Sequence, residues 1–119
     1  MMRMIKMKLI IKILLVNIFT LSIYAQDTYI SNCRILEDEN SILCKYKAPP
    51  SIDDRIIVVN WIAPHGEISR SRELEILAGY ISVYDYRYLE GREPGIWTFE
   101  VIDGDVTTRT KFTVKKKDI

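Results

Sequence analysis

The chain of 119 residues is expected to be all-β: an antiparallel sandwich of about seven short strands, preceded by an N-terminal signal-peptide helix. Three observations carry this. Turn-forming clusters recur at the short spacing of a strand-rich domain, and no amphipathic helix of comparable strength competes with the strands. The last hairpin also sorts its residues cleanly onto two faces, which chance seldom produces along two strands at once.

Residues 1–25 read as a secretory leader. Arg3, Lys6, Lys8 and Lys12 make a basic start, Ile13 to Ile23 an almost unbroken apolar run, and Ala25 the small residue at which a peptidase cuts. Ile23, two positions earlier, is bulkier than the preferred alanine, so an uncleaved anchor over Leu9 to Ile23, with Lys12 snorkelling, is the alternative. No cysteine follows the run, which leaves nothing to acylate. Residues 26–119 then form one domain able to bury a thin core, for which a covalent staple is useful. Four of the 17 lysines and arginines belong to the leader. The remaining 13 stand against 16 acidic residues, a net charge of −3 that speaks against nucleic acid as a partner. Lys115, Lys116 and Lys117, the one basic cluster after the leader, read as a solvated end that blunts the last strand.

Strands are expected near 28–36 and 41–47, separated by the turn-forming Glu37-Asp38-Glu39-Asn40. A four-residue loop there pairs Leu36 with Ser41, Ile35 with Ile42, Arg34 with Leu43 and Cys33 with Cys44. Two cysteines in an exported chain favour pairing, and facing positions on antiparallel strands are close enough for a disulfide. A redox role lacks a Cys-x-x-Cys motif, and a metal site lacks partners for His65, the single histidine. The prolines and acids of residues 48–54 form a connector. Arg55 to Ala63, rich in Ile and Val around Trp61, is the best central strand, and Pro64-His65-Gly66 ends it. Residues 72–77 are ambiguous between a helical turn and a strand, and the strand is preferred.

A strand over 79–88 places Tyr84, Tyr86 and Tyr88 on one face, with Asp85 and Arg87 on the other. Facing water, the tyrosines form a partner-binding stripe; facing inward, they line the core with their hydroxyls at its rim. Strands over 95–103 and 105–115 form the last hairpin. A turn at Asp103-Gly104 pairs Ile102 with Asp105, Val101 with Val106, Phe99 with Thr108 and Trp97 with Thr110. One face then holds Trp97, Phe99, Val101, Val106, Phe112 and Val114, and the other is mostly polar.

The run from Pro94 to Gly104, followed by Phe112-Thr113-Val114, resembles the last two strands of bacterial exported immunoglobulin-like domains. Asn60 to Gly66 is similar to their central tryptophan strand and its turn. Similar patterns occur in several uncharacterised bacterial families, so the resemblance implies a fold more than an activity. Cys33 and Cys44 both precede Trp61 instead of bracketing it, so the antibody-type inter-sheet disulfide and antigen-receptor function are not implied.

No nucleophile elbow, His-Glu-x-x-His, phosphate loop or dinucleotide fingerprint is present. Asp53-Asp54 and Glu73/Glu75 read as turn chemistry and a solvated face. The expectation is a noncatalytic periplasmic or secreted binding module without metal or cofactor. Its partner is another envelope or secreted protein, and Tyr84, Tyr86, Tyr88 and His65 are its candidate contacts. One alternative is an inhibitor or immunity protein that plugs a hydrolase cleft with a charged loop from His65 to Ser71. Another is a structural subunit of an envelope complex, held at the membrane if the leader is retained.

Overall fold

The structure is a computed structural model that describes residues 29–116. The leader reading of residues 1–25 lies outside the described residues. Seven strands follow in order: β1 (Ile30–Leu36), β2 (Ser41–Lys47), β3 (Arg55–Ile62), β4 (Ile68–Ile76), β5 (Ser82–Tyr88), β6 (Gly95–Asp103) and β7 (Val106–Val114). All pairings are antiparallel. They build a three-stranded sheet of order β1-β2-β5 and a four-stranded sheet of order β4-β3-β6-β7. The sheets face each other across the core in a sandwich-like arrangement, with β1 beside β7 and β4 beside β5 at the two sides.

Alternation explains which residues fill the space between the sheets. Ile42, Cys44 and Tyr46 point inward from β2, Ile57, Val59 and Trp61 from β3, and Trp97, Phe99 and Val101 from β6. β3 pairs with β4 on one side and β6 on the other, so its Ile- and Val-rich sequence is that of a strand with no free edge. Trp61 is the centre of the packing. Its ring meets Phe99 and Phe112 edge-on at centroid distances of 5.2 and 5.9 Å, the geometry that aromatic quadrupoles favour.

The first hairpin has the expected register. Cys33 lies opposite Cys44 with Cα atoms 4.0 Å apart, and the two form a disulfide that staples β1 to β2 on their inner face. A short 3-10 turn, Glu37–Glu39, closes this hairpin, with Asn40 at positive φ accepting the left-handed position that asparagine tolerates.

Polar contacts lock the sheets at their margins. The Tyr46 hydroxyl donates to Asp103 at 2.8 Å, and Arg55 Nε donates to the other oxygen of that carboxylate at 3.2 Å. Burial, and then the bond to Asp103, holds the Tyr46 hydroxyl well above the usual phenol range, so it stays a donor. Beside it, at Ser31, which pairs with Tyr46 in the ladder, the Thr110 hydroxyl donates to the Ser31 carbonyl at 2.7 Å and joins β7 to β1.

Two sequence expectations are corrected. The final turn consists of Gly104-Asp105, with Asp103 opposite Val106, so Val101 faces Thr108, Phe99 faces Thr110 and Trp97 faces Phe112. Gly104 has φ of +58°, and Asp105 is not among the residues with positive φ; a turn with only its first central residue there is of type II′ with glycine leading. The offset from the expected pairing is two residues, an even number, so every side chain keeps its face. Second, the loop expected from His65 to Ser71 is shorter, because β4 takes up Ile68 and the three residues after it. The true connection is a tight turn in which Gly66 N–H bonds the Ala63 carbonyl at 2.9 Å, and a bulge between Trp61 and Ile62 absorbs the mismatch.

This turn approaches β6 closely. A Cβ on Gly95 would fall 2.8 and 2.9 Å from the Pro64 ring atoms, at a φ of +131°, so both space and backbone require glycine.

Candidate interaction surface

The face of β5 is decided by what lies across the sandwich. Asp85 turns inward and is only 3% exposed; its carboxylate accepts from Trp61 Nε1 at 2.8 Å and from Arg72 Nη1 at 2.9 Å. Arg87 also turns inward, its guanidinium 5.8 and 6.0 Å over the rings of Trp61 and Trp97, and it donates to the Ser69 hydroxyl at 3.0 Å. With these two inside, alternation sends Tyr84, Tyr86 and Tyr88 outward, where they are 52, 56 and 63% exposed. The core-lining alternative is therefore not the one the protein adopts.

The tyrosines run along an edge strand, since β5 pairs only with β2. Two contacts link these rings to their neighbours. Lys45 Nζ sits 5.3 Å from the Tyr84 centroid, and Tyr86 meets Tyr88 edge-on at 6.3 Å. The outward positions of β1 and β2 beside them hold Leu43 and the cations Arg34, Lys45 and Lys47, and no outward position of the three strands holds a carboxylate. The result is a face that is aromatic on one side and positive on the other.

The outer face of the four-stranded sheet differs. Its central acid, Glu100, is already satisfied, accepting from Asn60 Nδ2 at 2.9 Å and from Arg109 Nε at 2.8 Å across the ladder. Those bonds, Asn60 first, hold the Glu100 carboxyl below the usual range. The central acid of this face is thus paired with Arg109, whereas Arg34, Lys45 and Lys47 on the tyrosine face form no ion pair among the described residues.

His65 is not on the tyrosine face. It sits in the β3–β4 turn at one end of the sandwich, its Nδ1 2.8 Å from Glu93 and its Nε2 3.3 Å from Glu67, and so ties that turn to the β5–β6 loop. Hydrogen bonds to Glu67 and Glu93 hold the imidazole above its ordinary range near 6.5. A histidine raised in the folded state stabilises at pH below its unfolded value, and the contribution disappears as pH rises through the folded value. In an NMR titration the His65 midpoint is expected above that of a free histidine and to fall in both Glu67→Gln and Glu93→Gln; an unchanged midpoint in both variants contradicts the arrangement.

Near the same end, a cleft of about 920 Å³ opens between the first hairpin turn, the β5–β6 loop and the end of β7, lined by Ile35, Leu89, Arg92, Pro94 and Val114 among others. Among the described residues, no group of three or more His, Cys, Asp or Glu side chains is placed to hold a metal ion.

The residues that sequence reasoning left without a role are Arg70, Arg72, Asp85 and Arg87. The available signal was their alternation: Asp85 and Arg87 interleave with the tyrosines, so one of the two sets has to face inward. The chain matches no protein-family profile and no curated protein.

Proposed function

We propose that this chain is a noncatalytic, exported protein-binding module that docks a partner of the periplasm or cell envelope on the outer face of β1-β2-β5. The observation that carries the reading is the outward row Tyr84, Tyr86 and Tyr88 beside Arg34, Lys45 and Lys47, with no carboxylate among the outward positions. Tyrosines bury large area at low entropic cost, and three cations without an ion pair among the described residues favour a partner segment rich in acids. Export is supported by the leader-like residues 1–25 and by a disulfide, which persists in oxidising compartments. An immunoglobulin-like fold is supported by two sheets of three and four strands, with β2 joined to β5 and β3 to β6 around a central tryptophan.

The test is Tyr86→Ala, assayed by crosslinked capture from the envelope with mass spectrometry and by thermal melting. Capture is expected to weaken about thirtyfold, the loss of a hot-spot contact of about 2 kcal/mol, while melting changes by no more than a surface substitution produces. Undiminished capture overturns the reading, as does a collapse of folding that shows the ring to be structural.

A further inference from the structure

The two long sides of the sandwich end differently. On one, β1 meets β7, and the Thr110 hydroxyl engages both the carbonyl and the hydroxyl of Ser31, at 2.7 and 2.6 Å. On the other, β5 pairs with β2 and with no second strand among the described residues. The phase of that ladder decides which residues of β5 show their backbone to the open edge. Antiparallel neighbours exchange both hydrogen bonds at every second pair. Ala48 N–H bonds the Ile81 carbonyl at one end of the ladder and Leu89 N–H bonds the Asn40 carbonyl at the other, each at 2.9 Å. Both ends fall on odd-numbered residues of β5 and the register between them is unbroken, so Val83, Asp85 and Arg87 turn their amides and carbonyls to β2. Ser82, Tyr84, Tyr86 and Tyr88 turn theirs to the edge. The residues that expose their rings therefore also carry the edge's row of backbone donors and acceptors.

Such an edge is a template for a further strand unless proline, lysine or a bulge interrupts it, and β5 contains none of these. Charge decides which strand it accepts. Asp85 and Arg87 point inward from the edge, and Arg72, its side chain 41% exposed, reaches from β4 to the Asp85 carboxylate at 2.9 Å. Asp85 also accepts from the Trp61 indole, and Arg87 donates to the neutral Ser69 hydroxyl. The inner side of an added strand thus lies beside two guanidiniums and one engaged carboxylate. An apolar inner row would desolvate that charge without pairing it, and a second copy of β5 would bring two more guanidiniums with one more carboxylate. An acidic inner row pairs with it. Resting on the tyrosine-face docking read above, we propose that the partner contributes an extended acidic segment that adds as a strand to the open edge of β5. Its backbone bonds Tyr84, Tyr86 and Tyr88, its inward carboxylates face Arg72 and Arg87, and its outward side chains lie beside the tyrosine rings and Lys45.

A capped peptide of alternating valine and aspartate, as long as β5, is titrated into isotope-labelled, disulfide-intact protein, with a valine–lysine peptide as control. Saturation is expected to slow amide exchange at Tyr84, Tyr86 and Tyr88 at least about tenfold, while Val83, Asp85 and Arg87 are protected already in the free protein. Affinity is expected to fall about tenfold in Arg72→Gln, and by a similar factor when the α-hydroxy acid analogue of tyrosine at position 86 removes that N–H and keeps the ring. The N–H removed points away from β2, and circular dichroism confirms that both variants fold. No binding of the aspartate peptide, binding without slowed exchange at the three amides, or equal binding of the lysine peptide overturns strand addition. Protection that grows with protein concentration in the absence of peptide also overturns it, since a second copy then occupies the edge. Docking on the tyrosine face fails separately, through undiminished capture by Tyr86→Ala, so the two readings are distinguishable.

Discussion

Trp61→Ala is expected to remove about 3–5 kcal/mol of stability, a large share of what a domain of this size possesses. The side chain is fully buried, meets Phe99 and Phe112 edge-on, carries the Arg87 guanidinium above its ring and donates to Asp85. The ladders of both sheets hold their strands in place, so the backbone does not close over the space left. In thermal melting the midpoint is expected to drop by more than about 12 °C. Trp61→Phe separates the contributions: it keeps most of the ring but leaves the Asp85 carboxylate with one partner fewer, so a smaller loss is expected. A drop of only a few degrees for Trp61→Ala contradicts the placement of this ring at the centre of the core.

Asp85→Ala is expected to cost about 2–3 kcal/mol in urea denaturation. The carboxylate is buried between Trp61 Nε1 and Arg72, so removing it strands an indole donor and takes the counter-charge from Arg72. The figure lies below the full cost of breaking a buried pair, because the Arg72 side chain is 41% exposed and water replaces part of what it loses. Asp85 and Trp61 share a hydrogen bond, so the losses from Asp85→Ala and Trp61→Phe should not add. Strict additivity in the double variant contradicts direct contact between the two.

These residues also mark where sequence reasoning stopped. The β1–β2 register was legible because Glu37 to Asn40 bounds both strands, which leaves one pairing and brings Cys33 to Cys44. The last hairpin was legible by face but not by register. Side chains alternate with a period of two, so an even slip leaves Trp97, Phe99 and Val101 inward, and only the positive φ at Gly104 fixes the turn. The first residues of β4 were missed because Ser69, Arg70 and Ser71 offer no apolar alternation. Their strand is defined by the ladder to β3 and by charges turned toward the seam. The direction of the tyrosines could not be read locally. Tyr84, Tyr86 and Tyr88 are the more apolar set, yet they face water, because Asp85 finds Trp61 and Arg72 across the sandwich and Arg87 finds two indole rings. Those partners are far away in sequence, and no window along β5 contains them.

The outward row of tyrosines gives the protein a face with aromatic area and positive charge that forms no ion pair among the described residues, while the opposite outer face satisfies its central acid internally. Docking is therefore expected on one face only. The most direct measurement is site-specific photocrosslinking in the living cell envelope, with the probe placed at position 86 on the tyrosine face and, separately, at position 98 on the outer face of the other sheet. Position 86 is expected to trap one discrete protein partner, with trapping diminished by Arg34→Glu and position 98 silent. Equal trapping from both positions, or none from position 86 in folded and exported protein, contradicts the assignment.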